Sequence, residues 1–464
     1  MLRTYIKIAW RTIYKNPLFA GINILGLSIG LCFTLLIGIY IWQENRVNTE
    51  LRNLPNQYII QSHWKKENLG IELTSIGALP KALKETYPHL VENYFRFDGI
   101  TGITHVNQRN FRSSISIGDS SFFTMYGFEL LQGNAATAFK QPSSVVLSEE
   151  AALKYFGRTD VLQESLELEN FNRVKQPFQV TGVLKTATRN SVTQLNESNK
   201  NDLFLSTESL DFFGRNMSWD NPFIPSYVEL KEGVKPETVE AAMNQLIRTH
   251  APAAIAENLE AYLLPLTDYY QSANNQVVRR TNWILGMIGL FILIMALINF
   301  INLTISRSNN RLKEVGLRHV MGSNRWQLVK QFLLESVLLV TIALLFALVG
   351  YALLKNSFSA MVGKPMPSLQ ALTTGAWLLI SLLVPAIGCV AGIYPAFYLS
   401  DIPVTNSLKK QLNSINQHHF IRKSLVGIQF VTAAVVLIGA VVINKQVDFF
   451  FSKELGFDKE QVLT

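Results

Sequence analysis

Cysteine is scarce in this chain, and its scarcity limits the chemistry that the protein can carry. The 464 residues include two cysteines, Cys32 and Cys389, and both stand inside apolar runs. A disulfide-stapled fold uses four or more cysteines, and a reactive thiolate needs an electropositive, partly exposed site. The sequence therefore supports neither a disulfide framework nor a thiolate site.

Sequence motifs of enzymes and cofactor-binding proteins are also missing. The chain contains no G-x-x-x-x-G-K-[ST] phosphate loop, no H-E-x-x-H, no C-x-x-C and no Rossmann glycine fingerprint. The seven histidines are scattered, and the adjacent His418 and His419 do not converge on one metal ion. We predict that the protein is not an enzyme, that it does not hydrolyse ATP by itself, and that it carries no catalytic residue, metal or cofactor.

Long apolar runs, in contrast, are abundant. Five of them stand out, at roughly 20–42, 283–305, 333–354, 372–398 and 425–443. Each approaches or exceeds the roughly 20 residues that a helix needs to cross the hydrocarbon core of a bilayer. The sequence predicts a multispanning α-helical membrane protein with about five transmembrane helices.

The formal net charge of +8 is concentrated near the ends of these runs. Basic residues precede the first run, fill the loop 306–332 and recur at 409–423, whereas Arg279 and Arg280 lie on the opposite side. Because cytoplasmic loops are enriched in Lys and Arg, the N-terminus and 306–332 are predicted to be cytoplasmic, and 46–282 periplasmic. This placement explains the charge without a nucleic-acid partner and makes membrane lipids the expected surroundings.

The order of apolar and polar stretches gives a domain plan. A retained anchor is preferred to a signal peptide for the first span, because that span is long and has no small-x-small cleavage site. The predicted segments are an amphipathic cytoplasmic helix at 1–19, transmembrane helix 1 at 20–42, a large α+β extracytoplasmic domain at 46–282, a membrane domain with helices 2–4 at 283–405, a cytoplasmic linker at 406–424, transmembrane helix 5 at 425–443, and a further extracytoplasmic stretch at 444–464.

Local signals inside the polar block place several elements. Residues 58–64 read as a strand, and alternation predicts another around Phe178 and Val180. Ser148 follows the short strand 144–147 and is a predicted helix N-cap, with Gly157 as the end of that helix. Pro80 and Pro236 are predicted in the first turns of two more helices. The polar stretch 190–202 is predicted to be a mobile loop.

The segment 306–336 is polar and basic although an apolar span lies on each side of it. Leu312, Val315 and Val320 recur at near-helical spacing, which predicts a short amphipathic helix along the membrane face. Gly322 is expected to end this helix, and Ser323 or Asn324 to cap the next one. The residues alone leave two readings open, a positively charged topology loop and a docking surface for a partner.

Glycine and asparagine pairs predict contacts between the spans. Gly26 and Gly30 match the nucleophile elbow of serine hydrolases, but inside an apolar helix they indicate a small-xxx-small packing face. Asn299 and Asn302 share a helix face, where hydrogen bonding to another helix is favoured over a substrate path. Gly388 and Gly392 are predicted to pack the fourth span tightly.

Several sequence pieces, in this order and spacing, resemble a known family. They are IKIAWRTIYKNPLFAGINILGLSIG, SSVVLSEEAALKYFG, FQVTGVLK, INFINLTISRS, KEVGLRHVMGSNRWQLVKQFLLES and IYPAFYLSDIPVTNSLKK. The chain resembles MacB/FtsX-like ABC transporter permeases of the type common in Bacteroidetes. The resemblance implies a MacB-like periplasmic core domain at roughly 46–250 and an FtsX-like membrane domain at roughly 285–405.

In such permeases the segment after the second span resembles a coupling helix that docks on a separate cytoplasmic ATPase. The matching positions in this sequence are Lys313, Glu314, Val315, Gly316, Arg318, Gly322 and Arg325. The resemblance implies a permease subunit of the bacterial inner membrane that couples a partner's ATP hydrolysis to movement of an extracytoplasmic domain, in export of or resistance to antimicrobial peptides or antibiotics, or in lipoprotein handling. ATP would be bound by the partner. A regulator of an extracellular cell-wall hydrolase and a peptide-sensing signalling complex are the alternatives.

The sequence departs from this family pattern in two places. Residues 44–48 read ENRVN where relatives usually carry a Tyr-Asp-Arg-Phe-His-like element. Residues 422–464 resemble the opening of a second copy of the unit, most of which the chain is expected to lack. A second permease copy or the missing half is thus an expected partner, as is a periplasmic or outer-membrane protein.

Overall fold

The computed structural model describes residues 7, 10–11, 13–66, 70–195, 200–400 and 416–452. They form two compact units, one made of 1–42 and 282–464 and the other of 43–281, which we call the helical unit and the sheet unit. The α-helices of the described residues are α1 (Pro17–Glu44), α2 (Leu79–Thr86), α3 (Phe122–Tyr126), α4 (Glu149–Phe156), α5 (Pro236–His250), α6 (Ala253–Ala256), α7 (Leu266–Val320), α8 (Arg325–Val362), α9 (Thr374–Ser400) and α10 (Asn416–Ser452).

The sheet unit holds the strands, all of which pair into one mixed sheet. They are β1 (Gln57–Trp64), β2 (Val91–Val106), β3 (Arg109–Gly118), β4 (Leu130–Gly133), β5 (Ser144–Ser148), β6 (Ser165–Glu169), β7 (Lys175–Leu184), β8 (Leu203–Ser206), β9 (Ser226–Leu230) and β10 (Leu259–Pro265). Short 3-10 helices lie at Leu54–Asn56, Thr207–Ser209, Asp211–Phe213 and Leu369–Ala371.

Among the described residues, five helices are long and apolar enough to span a membrane, as the sequence predicts. The apolar stretches lie at Pro17–Glu44, Asn275–Ser306, Arg325–Val362, Thr374–Ile393 and Val426–Gln446. Pro17 opens α1, where a missing backbone N–H costs no helical hydrogen bond. Asn324 caps α8 through a reciprocal capping box with Gln327, and Gly363 ends it at φ +69°.

The strand order β10-β1-β9-β2-β3-β8-β5-β7-β4 divides the sheet unit into two lobes that share β2. Residues 91–96 of this strand pair with β9, and residues 97–106 pair with β3. Helices α2 and α5 cover the first lobe with Leu83, Val239 and Met243. Helix α4 covers the second lobe with Ala151 and Tyr155. The pairs β3–β8 and β5–β7 are parallel and the others antiparallel, which makes the unit α+β.

Local rules predicted several of these boundaries correctly. The Ser148 Oγ accepts a hydrogen bond from the Ala151 backbone N–H at 3.1 Å, and Gly157 ends α4 at φ +71°. In β7 the predicted alternation holds at Phe178 and Val180 but fails at Val183, which is fully buried. This strand pairs with β4, β5 and β6, so both of its edges lie inside the sheet, and Val183 belongs to the same buried core as Phe178 and Val180.

Two local predictions are wrong. Residues 306–320 do not form a separate helix along the membrane face, because α7 continues without a break to Val320. No proline interrupts the stretch, so nothing stops the helix of the second span before Gly322. Residues 190–202 do not begin as a mobile loop, because Asn190, Ser191 and Val192 are at most 2% exposed.

Parts of the predicted domain plan fall inside longer helices. The last residues of 46–282 already belong to α7, which begins at Leu266. Helix α10 begins at Asn416, inside the predicted linker 406–424, and continues to Ser452. Residues 1–6, 8–9 and 12 of the predicted helix 1–19, together with 401–415 and 453–464, lie outside the described residues.

Candidate functional site

One end of the helical unit gathers the turn between α7 and α8 and the end of α9. Gly322, at φ +87°, lets the chain leave α7, and Asn324 starts α8 two residues later. The Trp326 ring meets the Phe397 ring edge-on at 5.8 Å between centroids. The Arg325 guanidinium carbon lies 5.9 Å from the same ring centroid. These aromatic and cation–π contacts fix the turn against α9.

The turn presents large apolar side chains outward. Leu317 is 59% exposed, Met321 86% and Trp326 58%. We call the stretch 317–326 the exposed corner. Just behind it Leu328, Val329 and Phe332 of α8 pack with Ala396 of α9. The corner therefore combines an anchored backbone with an accessible surface of aromatic, thioether and cationic groups.

The predicted coupling residues divide between described and undescribed side chains. Gly322 and Arg325 are the two that the structure describes in full, and both lie in the exposed corner. The other five occupy the end of α7, but their side chains lie outside the described part of the structure: Lys313, Glu314, Val315, Gly316 and Arg318. The sequence reading missed Trp326 and Phe397. A tryptophan two residues after a helix cap, inside a polar loop, was the available signal for the first of them.

The glycines of the first span lie against the second span. A Cβ at Gly30 would stand 2.5 Å from the Ala296 Cβ, and a Cβ at Gly26 would stand 3.3 Å from the Asn299 Nδ2. Both distances are shorter than ordinary van der Waals contact. These glycines therefore lie in a close α1–α7 interface. A nucleophile elbow requires a strand–turn–helix bend, whereas here both glycines lie within one continuous helix.

The two asparagines of the second span differ from the expected hydrogen-bonding pair. Asn299 is an exposed residue beside Gly26. The Asn302 Oδ1 is buried with no hydrogen-bond partner among the described residues. On α1 the Oδ1 of Asn23 is also buried without a hydrogen-bond partner among the described residues, and the residue is 2% exposed. The helices α1 and α7 thus approach through small residues, and the described asparagine side chains of α7 form no hydrogen bond across the interface.

The fourth span packs on the third through its glycines. A Cβ at Gly388 would lie 2.7 Å from the Val337 Cα, and a Cβ at Gly392 would lie 2.7 Å from the Ser336 Oγ. Glu335, beside these contacts, is 8% exposed. The small residues let the α8 and α9 backbones come close together, as small-residue helix interfaces do in membranes.

The sheet unit carries a polar cleft of about 240 Å³. Among its lining residues are Lys84, Tyr94, Asp119 and Glu208. Burial raises the pKa of the Asp119 carboxyl even though the Arg96 Nε donates to it at 3.0 Å. Burial also raises the pKa of the Tyr94 phenol, with Asp119 adding to the effect. Since an ion pair holds the Asp119 carboxylate, the cleft offers a mixed-charge polar surface but no nucleophile–base pair.

Comparison with known proteins matches both units. The sequence model of the MacB-like periplasmic core domain matches residues 20–246, and that of the FtsX-like permease C-terminal domain matches residues 286–404. Together they cover most of the first span, the sheet unit as far as residue 246, most of the second span, and the third and fourth spans.

Individual relatives are distant. A pyoverdine export ATP-binding/permease protein, PvdT, of Pseudomonas savastanoi pv. phaseolicola is 24% identical over 72% of this chain and 49% of its own length. A macrolide export ATP-binding/permease protein, MacB, of Bdellovibrio bacteriovorus is 23% identical over 57% of the chain and 38% of its own length. The chain therefore spans about half or less of these relatives. The ABC transporter permease YvrN of Bacillus subtilis is 21% identical over 87% of this chain and 99% of its own length.

Solved structures match about half of the chain. A permease-protein domain from Porphyromonas gingivalis is 21% identical, with a TM-score of 0.38, over 46% of this chain and 91% of its own. The periplasmic region of MacB from Actinobacillus actinomycetemcomitans is 16% identical, with a TM-score of 0.34, over 47% of this chain and 93% of its own. The two domain matches, in the predicted order along the chain, carry the assignment. The chain belongs to the MacB/FtsX-like family of ABC transporter permeases.

Proposed function

We propose that this permease docks a separate cytoplasmic ABC ATPase through the exposed corner and the basic segment before it, and that ATP-driven movement of the docked subunit is passed to the sheet unit. The observation that carries the proposal is the corner itself. Its apolar side chains are exposed on a backbone that Gly322, Asn324 and the Trp326–Phe397 contact hold in place. Fixed, accessible aromatic and thioether groups are typical anchors of protein interfaces.

Charge supports the same partner. The segment 306–336 contains Arg307, Arg311, Lys313, Arg318, Arg325 and Lys330 against Glu314 and Glu335. A cationic segment between two spans favours the cytoplasmic side. It also favours an acidic partner surface, since complementary charge steers association and fixes its register. On this proposal the corner faces the cytoplasm and the sheet unit faces the periplasm.

ATP belongs to the partner in this scheme. The sequence has no phosphate loop of its own, so the ATPase subunit supplies the nucleotide site. The permease supplies the docking surface and the moving helices. A second permease copy is the further partner that we propose, since the apolar window of α10 has no buried residue within the chain.

The substrate class follows from the relatives only as a proposal. PvdT is named for pyoverdine export and MacB for macrolide export. We propose export of, or resistance to, antibiotics or antimicrobial peptides, with lipoprotein handling as a related task. The spans offer little polar lining beyond residues such as Asn299 and Asn302. We therefore propose that the sheet unit, not a channel through the helices, acts on the substrate.

Co-purification with the ABC ATPase encoded nearest to this chain tests the docking. The variant Met321→Glu/Trp326→Glu places two charges on the exposed corner. It is compared with Leu153→Glu, which changes a 49% exposed leucine of the sheet unit in the same way. Wild type and Leu153→Glu should retain the ATPase, and the corner variant should lose it by roughly tenfold or more. Equal retention by all three would place docking elsewhere.

A further inference from the structure

Where α1 ends and α7 begins, three side chains of the sheet unit form a closed network. Glu44, the last residue of α1, has a side chain 1% exposed and accepts from the Arg189 Nη1 at 2.5 Å. The Tyr270 hydroxyl, in the second turn of α7, donates to the other Glu44 oxygen at 2.7 Å. The Arg189 Nη2 donates to that hydroxyl at 2.8 Å, and its guanidinium carbon lies 5.2 Å from the Tyr270 ring centroid. We call Glu44, Arg189 and Tyr270 the clasp.

Asn48 ties the same three segments together through the backbone. Its Nδ2 donates to the carbonyl of Leu266, the first residue of α7, at 2.8 Å. Its Oδ1 accepts from the Ser191 backbone N–H at 2.6 Å, and its own N–H donates to the Arg189 carbonyl at 3.2 Å. Asn48 is 1% exposed and holds φ +71°, a conformation that asparagine tolerates better than most residues.

The segment that receives these bonds, 185–193, is attached to the sheet. It follows directly on β7, and the Tyr227 hydroxyl of β9 donates to the Ser191 carbonyl at 2.8 Å. We call 185–193 the strap. The strap thus continues from β7 at its start, and its residues 189–191 are bound both to the two helix ends and to β9.

A buried ion pair is poor evidence for stability, because apolar packing of the same volume serves as well. It is well suited to holding two elements in one discrete arrangement, since breaking it leaves an uncompensated buried charge. The clasp joins two helices that both continue into apolar spans. It uses Glu44 and lies beside Asn48, the two ends of the stretch 44–48 in which the sequence departs from its family pattern.

We propose that Glu44, Arg189 and Tyr270 lock the adjoining ends of α1 and α7 into one moving body and deliver its movement, through the strap, to the sheet unit. These residues position and transmit; they touch no substrate. The inference rests on the proposed function, because it supposes that an ATPase drives the helices.

Spin-label distances in the full chain with its ATPase, reconstituted in lipid nanodiscs, test this role. Labels are placed at Glu167→Cys on β6 and Met361→Cys on α8, after Cys32 and Cys389 are replaced by alanine. Met361 is 76% exposed and Glu167 is exposed. The distance distribution is recorded without nucleotide and with ATP plus vanadate. The wild-type clasp should give an ATP-dependent shift.

Two clasp variants and one matched control are compared. Glu44→Gln removes the charge, and Tyr270→Phe removes the bridging hydroxyl but keeps the ring over Arg189. Lys185→Met breaks the exposed Lys185–Glu129 pair on the same strap, 2.6 Å long. The clasp variants should reduce the shifted fraction by roughly fivefold or more while the ATPase stays bound. The control should keep the shift. The exchange Glu44→Arg/Arg189→Glu should restore part of it.

Each failure has its own signature. A full ATP-dependent shift in both clasp variants, with the ATPase bound, would overturn the clasp and leave the proposed function standing. Loss of the shift in Lys185→Met as well would also overturn it, since any change to the strap would then suffice. A wild-type complex that binds no ATPase, or shows no shift, would overturn the proposed function and the clasp's role with it.

Discussion

The first and fifth spans are nearly equal in mean hydropathy, yet they differ in how much of each is buried. In α1, half of the residues in the most apolar stretch are buried within the protein. In the corresponding stretch of α10, none is buried. Glycines show the same contrast: Gly30 of α1 lies against Ala296, whereas Gly427 and Gly439 of α10 have no atom within 4 Å of an added Cβ. Hydropathy thus predicts which helices enter a membrane. It does not predict whether a helix packs closely, because close packing requires a neighbouring helix with a complementary surface.

The largest expected effect comes from Gly30→Leu. A leucine there would overlap Ala296, whose Cβ lies 2.5 Å from the first added carbon. We expect the midpoint of thermal unfolding in detergent to fall by roughly 5–10 °C, as overpacking of a close helix interface should. Gly439→Leu on α10 is the control and should leave the midpoint unchanged. An equal loss in the control would mean that α10 is also packed in the purified protein.

Gly388→Val tests whether the third and fourth spans are joined as closely as the first and second. Its Cβ would meet the Val337 backbone at 2.7 Å, and a backbone atom cannot move aside as a side chain can. A destabilisation of about 1–3 kcal/mol is expected in unfolding by denaturing detergent. Gly375→Val, on the same helix but with its nearest atom at 4.0 Å, should cost far less. Similar losses would show that valine, not the contact, is responsible.

Asn302→Leu probes the unpartnered polar atom in the α1–α7 region. Removing a buried Oδ1 that has no hydrogen-bond partner among the described residues should stabilise the protein by up to about 1 kcal/mol, because the desolvation cost of the amide disappears. The detergent-unfolding midpoint measures the change, with the exposed Asn299→Leu as its companion. A clear destabilisation by Asn302→Leu alone would reveal a partner for this oxygen, such as water or a bound molecule.

The smallest effect is expected from Gly38→Ala, on the same helix as Gly30. No atom lies within 4 Å of its added Cβ, and alanine is the better helix former. Stability should rise by about 0.5 kcal/mol or stay level, measured as above. Gly30→Ala, made in parallel, should destabilise. If the two alanine variants behave alike, the contact geometry of α1 does not govern its stability.

Features governed by neighbouring residues were predictable from the sequence. Ser148 caps the start of α4, and Gly157 ends that helix in the left-handed conformation. In the same way Gly322 follows the end of α7, and Asn324 caps the start of α8. The five membrane-spanning helices, and the large polar domain between the first two, followed from the lengths of the apolar and polar stretches of the sequence. The continuous α7 was missed because an amphipathic pattern does not say whether a helix is separate from the one before it.

Features governed by distant residues were not predictable. Arg189 lies 145 residues from Glu44 and 81 residues from Tyr270, so no window of sequence contains the clasp. The pairing of residues 91–96 of β2 with β9, and the burial of Ser191, arise from partners far along the chain. The candidate docking segment was predicted by charge and resemblance, whereas the anchoring of Trp326 on Phe397 depends on a contact between two helices.

The clasp also sets an order of events during synthesis. It closes a ring of 226 residues between Glu44 and Tyr270, and the first strand waits for the last, since β1 pairs with β10. Loop closure on this scale costs on the order of 5 kcal/mol before any contact repays it. At roughly 5–20 residues per second, the ribosome needs on the order of ten seconds or more to pass from one side of the ring to the other. Throughout that interval the edge of β1 that pairs with β10 is open and Glu44 lacks the Tyr270 hydroxyl, so the sheet unit becomes complete only when the beginning of α7 has emerged.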